Sequence, residues 1–170
     1  GSIAAHLDEV DAAADVIGAV NTVVRRGDRL VGFNTDAEGF RVAIAAGIDG
    51  LSIKTAVCYG YGGVTSVVVA VLHSMGIKKV YITGRRPEAA RERAAELGCE
   101  VFDAAAHGPA DLFVNAAPVT DSPLDEAPNF LNALRGCQAA FDHELVGSHL
   151  KLYCTEHPEV RHIPGKAMYW

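Results

Sequence analysis

Apolar positions change period along this chain, and each change marks an element. Ile3, Ala4, Leu7, Val10, Ala14 and Ile17 recur at helical spacing, so the first stretch is predicted to be one helix whose partner surface lies outside the sequence. Residues 20–26 and 30–34 then read as two short strands around Arg26-Gly27-Asp28-Arg29, where Gly-Asp signals a hairpin. From Asp36 the helical period returns. Phe40, Ile44 and the stop at Gly47 predict a short helix that Asp36 caps with its carboxylate.

The rest of the chain alternates strand-like and helical patterns, over residues 55–59, 63–75, 80–83, 87–97, 100–103, 112–115 and 139–142. Successive βαβ units require a parallel sheet covered by helices on both faces, so the fold class is α/β, doubly wound and mostly parallel. One segment resists this reading. Val64, Thr65, Val67, Val68, Val69 and Val71 are β-branched and poor helix formers. A helix is still predicted there, because joining parallel strands needs a crossover, and Pro87 then opens the next helix at a favoured first-turn position. Residues 118–128, with Asp121, Ser122, Pro123 and nearby Asn129, form the one long irregular segment and read as a loop at the ligand-facing edge of the sheet.

Composition narrows the partners. At 170 residues and 49% hydrophobic, the chain can bury the core of one domain, or of one domain and a piece of another. A net charge of -6, with no concentration of Lys and Arg, argues against nucleic acid and anionic membrane as partners. The longest apolar run, residues 64–72, includes Thr65 and Ser66 and falls well short of the roughly 20 residues that span a bilayer. No signal peptide is visible. Cys58, Cys99, Cys137 and Cys154 are scattered without a Cys-x-x-Cys, which predicts reduced thiols, a cytoplasmic location and no structural disulfide. Gly1-Ser2, with no Met before it, reads as a cloning remnant or a cut end, so the chain is expected to be a fragment.

Gly60-Tyr61-Gly62-Gly63-Val64 stands where a predicted strand ends and a predicted helix begins. There the first glycine permits a tight turn, the next two let backbone approach a dinucleotide pyrophosphate, and the helix start offers free N–H groups and positive dipole. Such a turn alone is equally an ordinary connection. The end of the following strand, Thr83-Gly84-Arg85-Arg86, adds the discriminating feature, because this fold meets the adenosine ribose there. An acidic side chain would accept the ribose hydroxyls of NAD, whereas Arg85 and Arg86 suit a 2′-phosphate and so NADP. The competing view, a solvated basic corner, is disfavoured by the positive end of the helix that follows. With the sheet pattern, this makes the fold Rossmann-type. Asn21 and Asp36 offer the donor and acceptor that a small polyol or hydroxy acid needs, although Asp36 alone would equally be a cap. His143 at a strand end is more often polar surface than an acid–base group. His149, His157 and His162 with Cys154 match no zinc spacing, so no metal is expected.

Taken in order, GAVNT at 18–22, NTDAEGF at 34–40, GYGG at 60–63, the strand-end arginine, VNAAP at 114–118 and Gly165 with Met168 resemble the shikimate dehydrogenase family over nearly the whole chain. The resemblance implies reversible hydride transfer between NADPH and the ring ketone of 3-dehydroshikimate, a Lys–Asp pair handling the proton, and a place in aromatic amino acid biosynthesis on the chorismate pathway. Asp36 matches the catalytic and substrate-binding aspartate, Asn21 a substrate-binding asparagine, and Leu145 a substrate-side position. Gly60, Tyr61, Gly62, Gly63, Val64, Arg85, Arg86, Asn115, Ala116, Ala117, Pro118 and Val119 match cofactor contacts, to which His143, Gly165 and Met168 are added. Residues 1–35 would be the edge of a substrate-binding domain, a remnant of helix plus hairpin; 36–165 the NADP-binding domain; 166–170 the start of a helix returning to the first. The implied partners are a shikimate-like small molecule and, as an option left open, a second copy in a homodimer.

The departures bear on activity. The family's lysine lies upstream of the first predicted helix, and its substrate-contacting glutamine would follow Met168 by a few residues, whereas the chain ends at Trp170. The chain as given is therefore not expected to turn over shikimate. Ala117 stands where a Thr or Ser precedes the proline, Thr120-Asp121 replace Gly-Met, and Leu145, after His143 and Glu144, replaces a Tyr. These changes imply a divergent member acting on shikimate, quinate or another polyol acid. The alternative is a non-catalytic dinucleotide-binding sensor or pseudoenzyme.

Overall fold

A computed structural model describes residues 3–117, 128–143 and 149–166. Its first stretch is not one helix. A short 3-10 turn (Ile3–His6) leads into β1 (Glu9–Val10) and then α1 (Ala12–Ile17). Two aspartates interrupt the helical period by bonding backbone: the Asp8 carboxylate accepts from the Leu30 N–H at 2.7 Å, and Asp11 caps α1 through the Ala13 N–H at 3.0 Å. Between them Glu9 and Val10 pair in parallel with β3 (Arg29–Phe33). The hairpin partner β2 (Thr22–Arg26) runs antiparallel to β3, so the small sheet has the order β1-β3-β2.

α2 (Thr35–Gly47) follows, and its cap corrects the expectation. Asn34, with φ -119° and ψ 101°, is the N-cap, and its Oδ1 accepts from the Ala37 N–H at 3.1 Å. Asp36 lies inside the first turn. A cap needs extended backbone and a side-chain oxygen within reach of the N2 or N3 amide, which the residue two places earlier supplies.

The large sheet is built from β4 (Thr55–Tyr59), β5 (Lys79–Thr83), β6 (Glu100–Val101), β7 (Leu112–Asn115), β8 (Ala139–Asp142) and β9 (Arg161–Pro164). All six are parallel, in the order β6-β5-β4-β7-β8-β9. That is the doubly wound order with its switch between β4 and β7. β6 is shorter than expected because Asp103 caps α5 (Ala104–His107) instead of extending the strand. α6 (Pro128–Leu134), α7 (His149–Glu156) and β9 complete the fold beyond the expected elements. Residues 118–127 of the expected loop, and 167–170 of the expected returning helix, lie outside the described residues.

Alternation along the strands divides the core. Ala56, Cys58, Val80, Ile82, Leu112, Val114, Ala139 and Phe141 face α2, α3 (Gly63–Ser74) and α4 (Pro87–Glu96). Val57, Tyr59, Tyr81, Phe113 and Ala140 face α6 and α7. The valine-rich segment is helical because it is deeply buried on the first face, with Val67, Val68, Val69, Val71 and Leu72 all in the core. Tertiary burial outweighs helix propensity there. The four cysteines are free thiols, and burial pushes Cys58 and Cys137 up to about 12. No helix of the described residues is long and apolar enough to cross a membrane.

Candidate functional site

At the β4–β7 switch the sheet's strand ends open a crevice, and the glycine turn sits in it. Gly60 has φ 138°, and a Cβ there would lie 3.0 Å from the carbonyl carbon and oxygen of Ala116. The turn is therefore pressed against the chain leaving β7, and the Ala116 N–H to Tyr59 carbonyl bond at 2.9 Å holds that approach. Beyond it the turn is open, with nothing within 4 Å of a Cβ placed on Gly62 or Gly63. Gly62 is the N-cap of α3 and offers no side chain to the first-turn amides. An uncapped helix start leaves N–H groups and positive dipole for an anion. Val64, by contrast, turns partly into the core, so only its backbone faces the turn.

A hollow of about 230 Å³ lies beside this turn. Gly60, Tyr61, Gly62, Arg85, Ala116 and Ala117, six of the expected contacts, line it together with Tyr59 and Gly84. The Tyr59 hydroxyl is buried and has no hydrogen-bond partner among the described residues. Burial raises its pKa.

The two arginines differ. Arg85 is exposed on the wall of the hollow without a partner among the described residues. Arg86 is engaged with Tyr61: its Nε donates to the phenol oxygen at 3.1 Å, and its Cζ lies 5.1 Å from the ring centroid. Below the turn, Arg93 Nη2 donates to the Gly62 carbonyl at 3.4 Å while its Nη1 pairs with Glu96 at 2.8 Å.

On the other wall, Asn115 is buried and works inside the protein. Its Nδ2 donates to Asp142 Oδ1 at 3.1 Å, and its Oδ1 accepts from the Ala117 N–H at 3.2 Å, which shapes the chain carrying Ala116 and Ala117. His143 is half-buried after β8, its N–H bonded to the Asn115 carbonyl at 3.1 Å. Gly165 abuts the same strand end: a Cβ there would lie 2.5 Å from the Asp142 carbonyl oxygen. Pro118, Val119, Leu145 and Met168 lie outside the described residues.

A second polar group surrounds Asn21. Its Oδ1 accepts from the Thr35 N–H at 3.0 Å and from the hydroxyls of Thr22 at 3.0 Å and Thr35 at 3.3 Å. Asn34 Nδ2 ties the cluster to the Ala19 carbonyl at 3.1 Å. Asn21 is exposed, and its amide N–H groups have no hydrogen-bond partner among the described residues. Asp36, half-buried in the first turn of α2, has no side-chain partner among the described residues. Neither Asn21 nor Asp36 lines the hollow at the glycine turn, so the structure groups the expected residues into two sets.

No family model matches the chain. The shikimate dehydrogenase (NADP(+)) of Desulforamulus reducens is 37% identical over 139 residues, 73% of this chain and 47% of that protein. That of Thermus thermophilus is 41% identical over 116 residues, 68% of this chain and 43% of that protein. The crystal structure of the Thermus thermophilus shikimate 5-dehydrogenase in complex with NADP(H) and shikimate matches with a TM-score of 0.75 at 32% identity, over 98% of this chain and 64% of that one. The chain belongs to the shikimate dehydrogenase family. It spans about half the length of the curated relatives it matches.

Thr22 and Thr35, present in the GAVNT and NTDAEGF elements without a role of their own, build the Asn21 cluster. Gly84 and Arg93 act on the glycine turn through contacts that no local pattern announces. A larger hollow of about 620 Å³ shares Thr22, Asn34 and Thr35 with the polar cluster but has a mostly apolar surface and reaches Ala70, Val71 and Ser74. That end of α3 lies roughly 12–18 Å along the helix from the glycine turn, at 1.5 Å rise per residue. The larger hollow is thus separate from the glycine turn.

Proposed function

We propose that this shikimate dehydrogenase family member is an NADP-dependent oxidoreductase that interconverts a ring hydroxyl and a ring ketone, on shikimate and 3-dehydroshikimate or a related polyol acid. The observation that carries the reading is the uncapped start of α3 at the sheet's switch point, with Arg85 and Arg86 at the end of the neighbouring strand. Tyr59, whose buried hydroxyl has no hydrogen-bond partner among the described residues, is one of the residues around the hollow. NADP, when bound, supplies or accepts the hydride.

The chain's own residues do the rest. First-turn amides of α3 hold the pyrophosphate. Arg85 and Arg86 take the 2′-phosphate as charge-assisted donors. Asn115 fixes the wall formed by Ala116 and Ala117, and His143 and Gly165 adjoin the same strand ends; the coenzyme roles of Pro118, Val119 and Met168 rest on the family resemblance alone. Asn21 donates its amide hydrogens to a substrate hydroxyl, and the Asp36 carboxylate holds a proton at the reacting oxygen; the substrate role of Leu145 rests on the family resemblance alone. Residues 1–35 belong to the substrate-binding domain and 36–165 to the NADP-binding domain, with α2 as the bridge.

The test is steady-state oxidation of shikimate and of quinate by the whole protein with NADP and with NAD, alongside Asp36→Asn. NADP-dependent turnover of one polyol is expected, falling by about 10²-fold or more in the variant with coenzyme affinity unchanged. Dinucleotide binding without turnover of either polyol would replace this reading with the non-catalytic one.

A further inference from the structure

Tyr61 stands between two glycines of the turn, and its surroundings are shaped to it. Gly84 leaves it the space: a Cβ at that position would lie 2.7 Å from Tyr61 Cε1 and 2.9 Å from Cδ1, so the phenol ring packs directly on the backbone at the end of β5. The Gly84 carbonyl is itself fixed by Asn129 Nδ2 at 3.0 Å. Arg86 then holds the ring in two ways, by the bond from its Nε to the phenol oxygen at 3.1 Å and by stacking with Cζ 5.1 Å from the centroid.

An exposed arginine normally samples many rotamers and loses that freedom when it grips a ligand. Here the loss is met before any ligand arrives. Nε is committed to Tyr61, and the terminal Nη1 and Nη2 groups have no partner among the described residues. A guanidinium with its plane set and its outer donors free is prepared for bidentate capture of an oxyanion. Arg85, on the wall of the hollow, has no comparable restraint.

We propose that Tyr61 is a positioning residue that presets Arg86 as the fork for the ribose 2′-phosphate, and thereby helps set selectivity for the phosphorylated dinucleotide. This rests on the dinucleotide reading given above. Tyr61 makes no contact with the phosphate in this scheme and acts through Arg86.

Calorimetric titration with NADPH and NADH, on wild type, Tyr61→Phe, Arg86→Ala and the double variant, tests it. Arg86→Ala is expected to weaken NADPH by roughly tenfold to a hundredfold and NADH by less than about twofold. Tyr61→Phe keeps the ring on Gly84 and removes only the hydroxyl, so it should weaken NADPH by roughly three- to tenfold, leave NADH unchanged, and add nothing in the Arg86→Ala background. Equal weakening of both coenzymes by Tyr61→Phe, or full additivity with Arg86→Ala, overturns the proposal. A wild type with no preference for NADPH removes the dinucleotide reading and this inference together. A preference that survives Arg86→Ala but disappears in Arg85→Ala leaves that reading standing and removes this one alone.

Discussion

Two glycines separated by one residue should respond oppositely to the same added methyl. Gly60 has φ 138°, a region that L side chains rarely adopt, and its Cβ would lie 3.0 Å from two backbone atoms of Ala116. Backbone strain of this kind costs about 1–3 kcal/mol, and forcing apart a close-packed contact adds a similar amount, so Gly60→Ala should lose about 2–6 kcal/mol. For a chain of this length each kcal/mol lowers Tm by roughly 2–4 °C, which puts the expected fall near 4–24 °C. Gly62 has φ -83° and ψ -170°, extended backbone open to any residue, and nothing lies within 4 Å of its Cβ. Gly62→Ala should therefore melt within about 2 °C of wild type yet bind NADPH at least about tenfold more weakly, because the methyl occupies the approach to the α3 amides. Scanning calorimetry and NADPH titration on both variants provide the check. Gly60→Ala melting with wild type, or Gly62→Ala melting low while binding NADPH normally, would refute the assignment of close contact to one glycine and ligand space to the other.

Arg85→Ala should cost NADPH about 1.5–3 kcal/mol of binding and NADH almost none, measured by titration; equal losses would mean that the arginine does not meet a phosphate. Asn115→Ala removes a donor from Asp142, which is 1% exposed, and should lower the unfolding free energy by about 2–3 kcal/mol in urea melts. Asn115→Asp should be worse, since it sets two carboxylates face to face. Burial holds the His162 imidazole below its ordinary pKa, and its buried Nε2 has no partner among the described residues. The unfolded chain then takes up this proton first, so the contribution is whole above about pH 6.5 and is lost as pH falls through the lower folded value. Denaturation from about pH 7 to about pH 5 should show stability declining more steeply in wild type than in His162→Leu, and parallel profiles would contradict the burial argument.

How far the sequence could be read depended on the range of the forces involved. β4, β7 and β8 were legible because short apolar runs between turn residues have few other uses in a chain this long. α3 was legible only through topology, since its valines argue locally for a strand. The first helix was misread because Asp8 bonds the Leu30 N–H, a partner 22 positions away, and no window of sequence contains both. Choosing between Asn34 and Asp36 as the cap of α2 required knowing which residue has extended backbone, which is set where β3 ends. β9 was invisible for a different reason: its four residues carry only one fully buried side chain, Ile163, and end on a proline, the composition of an edge strand. The proximity of the glycine turn to Arg85 was legible because both follow from residue type at fixed offsets from two neighbouring strand ends. The grip of Arg86 on Tyr61 was not, because it depends on where two side chains meet across two connections.

What makes the two sets of site residues one machine is the helix pair between them. The cap of α2 is Asn34, a member of the Asn21 cluster, and the start of α3 is the glycine turn. Ala37, Phe40, Ala43 and Ile44 of α2 share one core with Val67, Val68, Val71 and Leu72 of α3. At its far end α2 is wedged against β9, where a Cβ on Gly47 would lie 2.5 Å from Ile163 Cδ1. A close-packed helix held on both sides cannot slide without opening cavities or clashes, so the polar cluster is held relative to the coenzyme turn by side-chain packing instead of by a linker. This also accounts for the valines. Val67, Val68 and Val71 weaken α3 as an isolated helix, but each has essentially one χ1 rotamer there and loses little freedom on burial. Under the roles proposed for Asp36 and the glycine turn, such stiff side chains would hold the distance between carboxylate and coenzyme better than residues that favour the helix but can repack.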